Sequence, residues 1–200
     1  MPGRAKTRLV PRLGAWRSAQ LHARLTEGAL RAALAARCGS VELHATQPRH
    51  AFFRYCASRH RVRVFGQRGR DLGERMERAL AASLRRFRAV LIVGCDLPEL
   101  GPGELRRAAR LLRGACDVVL APAEDGGYGL IGARRPSGFA FRGIEWGGKR
   151  VLEQTRCALS AARLRVRELA PVWDLDRVED LERLAAVRMR RRSASPLGKG

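Results

Sequence analysis

Carboxylates and cations placed at the ends of apolar runs are the residues of this sequence with chemical potential. Asp96 closes Gly94-Cys95-Asp96, directly after Ala89-Val90-Leu91-Ile92-Val93, the most apolar run of the chain. A carboxylate there can hold Mg²⁺ or Mn²⁺, hard ions that take oxygen ligands and bridge to substrate phosphates. The plainer alternative is a cap or loop brace, but Pro98 and a helix start near Pro102 leave Asp96 too early to cap. Trp173-Asp174-Leu175-Asp176 sets two more carboxylates at i and i+2, on one face if extended. Asp176 with Glu179 also fits a capping box at the start of the final helix, whereas Asp174 has no such local role. Glu124-Asp125-Gly126-Gly127 joins two acids to two glycines, which let backbone approach a ligand and equally suit a hairpin turn. Gly3-Arg4-Ala5-Lys6-Thr7-Arg8 gathers three cations around a glycine, a composition able to cradle a diphosphate.

These loops need elements to aim them. Helical spacing over 15–37 (Leu21, Leu25, Ala29) predicts a first helix, after a polar loop from Met1 to about Gly14. Short strands are expected at 41–45 and 62–65, with a less defined helical stretch near 52–58 between them. A helix over 72–87 carries Met76, Leu80, Leu84 and Phe87 on one face. Strand 89–93 reads as buried on both faces. A helix opened by Pro102 follows, then a buried strand at 118–121, a strand from Tyr128 to Gly132, and a helix over about 149–162. A strand at 164–169 and a helix over 177–187 close the pattern. Strands alternating with helices predict a layered α/β domain with a largely parallel sheet, in which ligands bind beyond the carboxyl ends of the strands. One domain is expected over 1–187, followed by a basic, disordered tail over 188–200.

The formal charge of +21 invites a nucleic-acid reading, yet all but three of the 40 basic residues are arginine and most are dispersed over helix surfaces. Nucleic acid is therefore not the expected partner, and a phosphate-bearing small substrate profits from the same field. The five cysteines never form C-x-x-C, and the four histidines show no ligand spacing. No apolar run reaches a membrane span and no signal-peptide core opens the chain, so a cytoplasmic location is expected.

Five short motifs occur in register: Pro2-Gly3-Arg4-x-Lys6-Thr7-Arg8-Leu9, Asp71-Leu72-Gly73-Glu74-Arg75-Met76, Gly94-Cys95-Asp96-Leu97-Pro98, Glu124-Asp125-Gly126-Gly127-Tyr128 and Asp174-x-Asp176-x-x-Glu179-Asp180-Leu181. Together, over about residues 2–185, they resemble the small GT-A-type transferases known as radical-SAM/selenodomain-associated transferases, or arsenosugar-biosynthesis-type glycosyltransferases. These in turn are similar to the molybdenum-cofactor and phospholactate guanylyltransferases. The resemblance implies a three-layer nucleotide-diphospho-sugar transferase fold and a Mg²⁺- or Mn²⁺-dependent glycosyltransferase. Nucleotidyl transfer from a nucleoside triphosphate to a small phosphorylated acceptor is the alternative; a basic nucleic-acid-binding module and an inactive, truncated remnant are further alternatives. It implies Gly3, Arg4, Lys6 and Arg8 at the phosphates, with Asp71 and Gly73 on the nucleotide side. Asp96, Asp174 and Asp176 would be at the metal, with Asp96 and Asp125 catalytic. Glu124, Gly126, Gly127 and Trp146 would face the acceptor. The chain departs from the family at Gly129, where a second aromatic is usual, and at Gly147-Gly148, where Ser or Thr is usual. Members also begin with an apolar strand before the Pro-Gly-Arg loop, so a fold without its first strand is expected.

Overall fold

The computed structural model describes residue 3 and residues 5–114, 116–136 and 138–193. Their helices are α1 (Val10–Ala36), α2 (Ala51–His60), α3 (Leu72–Leu84), α4 (Pro102–Gly114), α5 (Val151–Ala161) and α6 (Glu179–Ser193). The strands are β1 (Glu42–Ala45), β2 (Arg63–Gly66), β3 (Val90–Val93), β4 (Val118–Pro122), β5 (Tyr128–Ala133) and β6 (Val166–Glu168). A 3₁₀ turn over Thr7–Leu9 leads into α1, which breaks at Gly14 (φ 78°) before its long run begins. The expected helix start near residue 15 is that break. α6 continues past 187, where the tail was expected to begin, to Ser193.

The sheet is in two pieces. β1 and β2 pair in parallel as a ribbon, and the other four strands order as β3-β5-β4-β6. Within the larger piece β4 and β6 are parallel, and β5 runs antiparallel to both β3 and β4. Hence β3, β4 and β6 share a direction and end on one edge. The Asp125-Gly126 step turns β4 into β5, so the hairpin reading of 124–127 holds structurally.

Alternation along β4 sorts the core into two layers. Val119 and Ala121 face α1 and α4, against Ala33, Ala36, Leu105, Ala108 and Leu112. Val118 and Leu120 face α3 and α5, against Leu80, Leu152 and Leu159. The strand buried on both faces is β4, in which all five residues are buried. β3, expected to be so, is only half-buried throughout, because it is an edge strand paired to β5 alone among the described residues. The ribbon has a core of its own, with Leu30 of α1, Cys56 and Val62 buried and Leu43 and Phe52 against them.

Candidate functional site at the carboxyl edge of the sheet

Asp96 follows β3, Asp125 follows β4, and Asp174 and Asp176 follow β6, so four carboxylates lie past the carboxyl ends of three co-directional strands. Backbone hydrogen bonds register these segments beyond the sheet. Val172 N–H donates to the Pro122 carbonyl at 2.8 Å, Glu124 N–H to that of Val172 at 3.1 Å, and Leu175 N–H to that of Asp96 at 2.9 Å. Alternation explains the rest. Trp173 and Leu175 are buried at 2% and 0% exposure, which turns Asp174 and Asp176 the other way.

The basic loop closes over this edge. Leu9, 0% exposed, packs with Leu25, Trp173 and Leu175 and anchors the 3₁₀ turn. Ahead of it Lys6 adopts a left-handed backbone (φ 50°, ψ 50°). Its ammonium sits 2.8 Å from Asp96 Oδ2 and 3.5 Å from Asp176 Oδ1, and Arg8 Nη1 lies 2.5 Å from Asp176 Oδ2. Arg4 and Pro2 lie outside the described residues; Gly3, with φ 74°, opens the loop. The capping alternative for Asp176 does not apply. Asp180 Oδ2 instead accepts from the Asp176 and Arg177 N–H groups, at 2.9 and 2.7 Å, leaving the Asp176 carboxylate to the two cations.

Burial first, then the neighbouring Asp125, with Asp96 and Asp176 adding to it, raises the Asp174 carboxyl above the ordinary range. Asp96 and Asp176 thus face Lys6 and Arg8, with Asp174 and Asp125 adding negative charge nearby. Such oxygen donors suit a hard divalent cation. The Lys6 ammonium shows that a cation is accommodated between Asp96 and Asp176. No three acidic, His or Cys side chains among the described residues converge as a metal-binding group.

On the far side of the edge, Asp125 Oδ1 accepts from Gly127 N–H at 2.9 Å. Gly126 (φ 91°) lies so close to Lys149 that a Cβ would fall on its carbonyl oxygen, and its own carbonyl accepts from Leu152 N–H. Gly126 therefore locks the turn onto the start of α5. Trp146 stacks on Phe141 and meets Tyr128 edge-on, and a Cβ on Gly73 would fall on its indole. Gly73 thus makes room for Trp146. Asp71 caps α3, its Oδ1 accepting from Glu74 N–H at 2.8 Å. Glu124 forms a two-pronged ion pair with Arg183 of α6, at 2.7 and 2.8 Å, while that guanidinium covers the Trp173 ring. Gly129 has a local reason, since a Cβ would meet Leu97 at 2.6 Å and Val172 at 2.9 Å.

Sequence reasoning passed over α1. Ser18 Oγ and His22 Nδ1 are buried without a hydrogen-bond partner in the structure, one turn apart. Burial, and then the nearby Lys6 charge, hold His22 below the ordinary histidine value, while Asp96 pulls the other way. Among the described residues no helix is long and apolar enough to cross a membrane.

Comparison with known proteins places this geometry. The chain is 29% identical, with a TM-score of 0.85, to the structure of a protein from Desulfovibrio desulfuricans G20 described as a candidate nucleotide-diphospho-sugar transferase, over 97% of this chain and 84% of that one. It shares its fold with CMP:2-keto-3-deoxy-manno-octonic acid synthetase complexed with CTP (13% identity, TM-score 0.61, 84% and 88% of the two chains). Rv0371c from Mycobacterium tuberculosis H37Rv is similar more distantly (20% identity, TM-score 0.50, 80% and 82%). No curated protein sequence matches. The fold is the α/β fold of nucleotide-diphospho-sugar transferase structures, with helices on both faces of a mostly parallel sheet. Residues 29–148 match the model of the family described as "Uncharacterized protein conserved in bacteria (DUF2064)", and the chain belongs to that family.

Proposed function

We propose that the chain is a transferase acting on a nucleotide-linked substrate, and specifically a glycosyltransferase using a nucleotide-diphospho-sugar donor with Mg²⁺ or Mn²⁺. The observation that carries the reading is the Lys6–Arg8 loop held against Asp96 and Asp176 at the carboxyl edge of the sheet. The similarity to the Desulfovibrio protein supports it. The closer likeness to arsenosugar-type or radical-SAM-associated members belongs to the same proposal.

Asp96, Asp174 and Asp176 would hold the divalent ion, whose chemistry is to neutralise charge on the phosphates and leaving group. The remaining work falls to this chain's own groups. Lys6 and Arg8 bind the diphosphate and stabilise it as it departs, a matter of positioning and charge with little covalent chemistry. Asp125, on a turn fixed by Gly126 and Gly127, orients an acceptor hydroxyl and can take up its proton. Trp146 and Tyr128 form the apolar wall beside that turn. Asp71 and Gly73 act at the nucleotide side through α3, one as its cap and the other as the seat of Trp146.

Nucleotidyl transfer remains the second reading, favoured by the shared fold with the CTP-bound synthetase. The two differ in what is released. A panel of nucleotide-sugars and nucleoside triphosphates, incubated with Mn²⁺ and small acceptors, should yield nucleoside diphosphate for sugar transfer and pyrophosphate for nucleotidyl transfer. Release of neither, across the panel, would overturn both.

A further inference from the structure

We propose that Lys6 is an internal counter-cation that keeps the carboxylate site closed to divalent metal until a nucleotide diphosphate arrives, so that metal and nucleotide load together. The inference rests on the reading above and adds an order of loading to it. The Lys6 side chain is only 5% exposed, against 69% for Arg8, although both reach the same carboxylate. A lysine so deeply buried is rare unless it is paired, and here it is paired twice, to Asp96 and Asp176.

The contact competes with a divalent ion for the same oxygens. Mg²⁺ takes carboxylate oxygens at about 2.0–2.1 Å and demands near-octahedral space around itself. The ammonium already stands 2.8 Å from Asp96 Oδ2. Two cations on one carboxylate repel each other, so the ammonium weakens the hold of a divalent ion there. Leaving either empty is costly, since an unpaired buried ammonium and two facing carboxylates are each unfavourable.

A diphosphate resolves the exchange. The Lys6 backbone is fixed by its left-handed turn and by buried Leu9, with Leu9 N–H donating to the Lys6 carbonyl at 2.9 Å. The flexible four-carbon stem is free of that constraint and can carry the ammonium from carboxylates to phosphate oxygens. Asp96 then lacks its cation at the moment a metal-bound diphosphate is present. Because the ammonium competes for the same carboxylates, removing it raises metal affinity in the absence of nucleotide.

The test is Mn²⁺ titration of the full chain without nucleotide, followed by the electron paramagnetic resonance signal of free Mn²⁺. Lys6→Met should bind Mn²⁺ on the order of tenfold more tightly than the unsubstituted chain. Adding Asp176→Asn to Lys6→Met should abolish the gain. Where Lys6→Met does not fold by circular dichroism, Lys6→Gln, which removes the charge and keeps a polar end, takes its place. Equal Mn²⁺ affinity with and without the lysine charge, including no binding by either, overturns the proposal. So does a gain that survives Asp176→Asn. The functional reading fails by a different result, nucleoside diphosphate affinity of the unsubstituted chain that EDTA does not change.

Discussion

The four-stranded sheet and the two-stranded ribbon are held by different means. The larger piece buries β4 completely between two apolar layers, one with α1 and α4 and the other with α3 and α5. The ribbon buries little, and its joint to α3 is electrostatic. Glu42 of β1, with a side chain 9% exposed, accepts from Arg86 at 2.7 and 3.1 Å and from Ser83 at 3.4 Å, and Arg63 lies 3.6 Å away. The Arg86 hydrogen bonds hold the Glu42 carboxyl below its ordinary range. All four site carboxylates ride on the sheet, where dense packing fixes positions, and none on the ribbon. Chemistry that depends on the spacing of charges belongs on the stiffer half.

That contrast can be broken most severely at the turn joining site to sheet. Gly126→Ala places a Cβ on the Lys149 carbonyl at a φ of 91°. It should cost roughly 2–4 kcal/mol of stability, seen in urea unfolding. A loss below about 0.5 kcal/mol would mean the turn is not locked.

The edges of β1 and β3 that no strand pairs among the described residues come next. An apolar segment of about six residues added ahead of Pro2 should raise the melting temperature by several degrees if it pairs with them, through buried area and ladder hydrogen bonds. An unchanged melting temperature would show that these edges take no further strand.

Glu42→Gln should have a smaller, local effect. Amide exchange is expected to quicken in β1 and β2 and stay unchanged in β4 and β5, because it loosens the joint and not the sheet. Uniform acceleration would show that the two halves unfold as one.

The smallest effect concerns His22. Its folded-state pKa lies below the ordinary 6.5, so the unfolded chain takes up the proton first. Stability from this group is therefore present above about pH 6.5 and is lost as pH falls through the interval below it. Melting curves of His22→Gln should show a shallower decline in that interval than the unsubstituted chain. Parallel declines would remove His22 from the account.

Local patterns in the sequence carried the elements and the positions of the carboxylates. The amphipathic faces of α3 and α4 and the apolar runs of β3 and β4 are periodic signals that packing obeys. Pairings distant in sequence were not legible. Glu124 meets Arg183 and Glu42 meets Arg86 because the fold brings them together, so Glu124 resembled a site acid when read beside Asp125. Asp180, not Glu179, reaches back to the Asp176 N–H, a choice that spacing alone did not decide. The edge status of β3 was equally hidden, since an apolar run reports burial of side chains and not the number of strand neighbours. Ser18 and His22 carry no signal beyond a polar residue on a helix face.

The central claim is that Asp96 and its neighbours hold a divalent cation against a nucleotide diphosphate presented to Lys6 and Arg8. Calorimetry of nucleoside diphosphate binding, with Mn²⁺ and then with EDTA, on the chain and on Asp96→Asn tests it directly. The account predicts binding on the order of tenfold tighter with metal, and loss of that difference in a folded Asp96→Asn chain. Equal affinity with and without metal, or full metal dependence in Asp96→Asn, would contradict it.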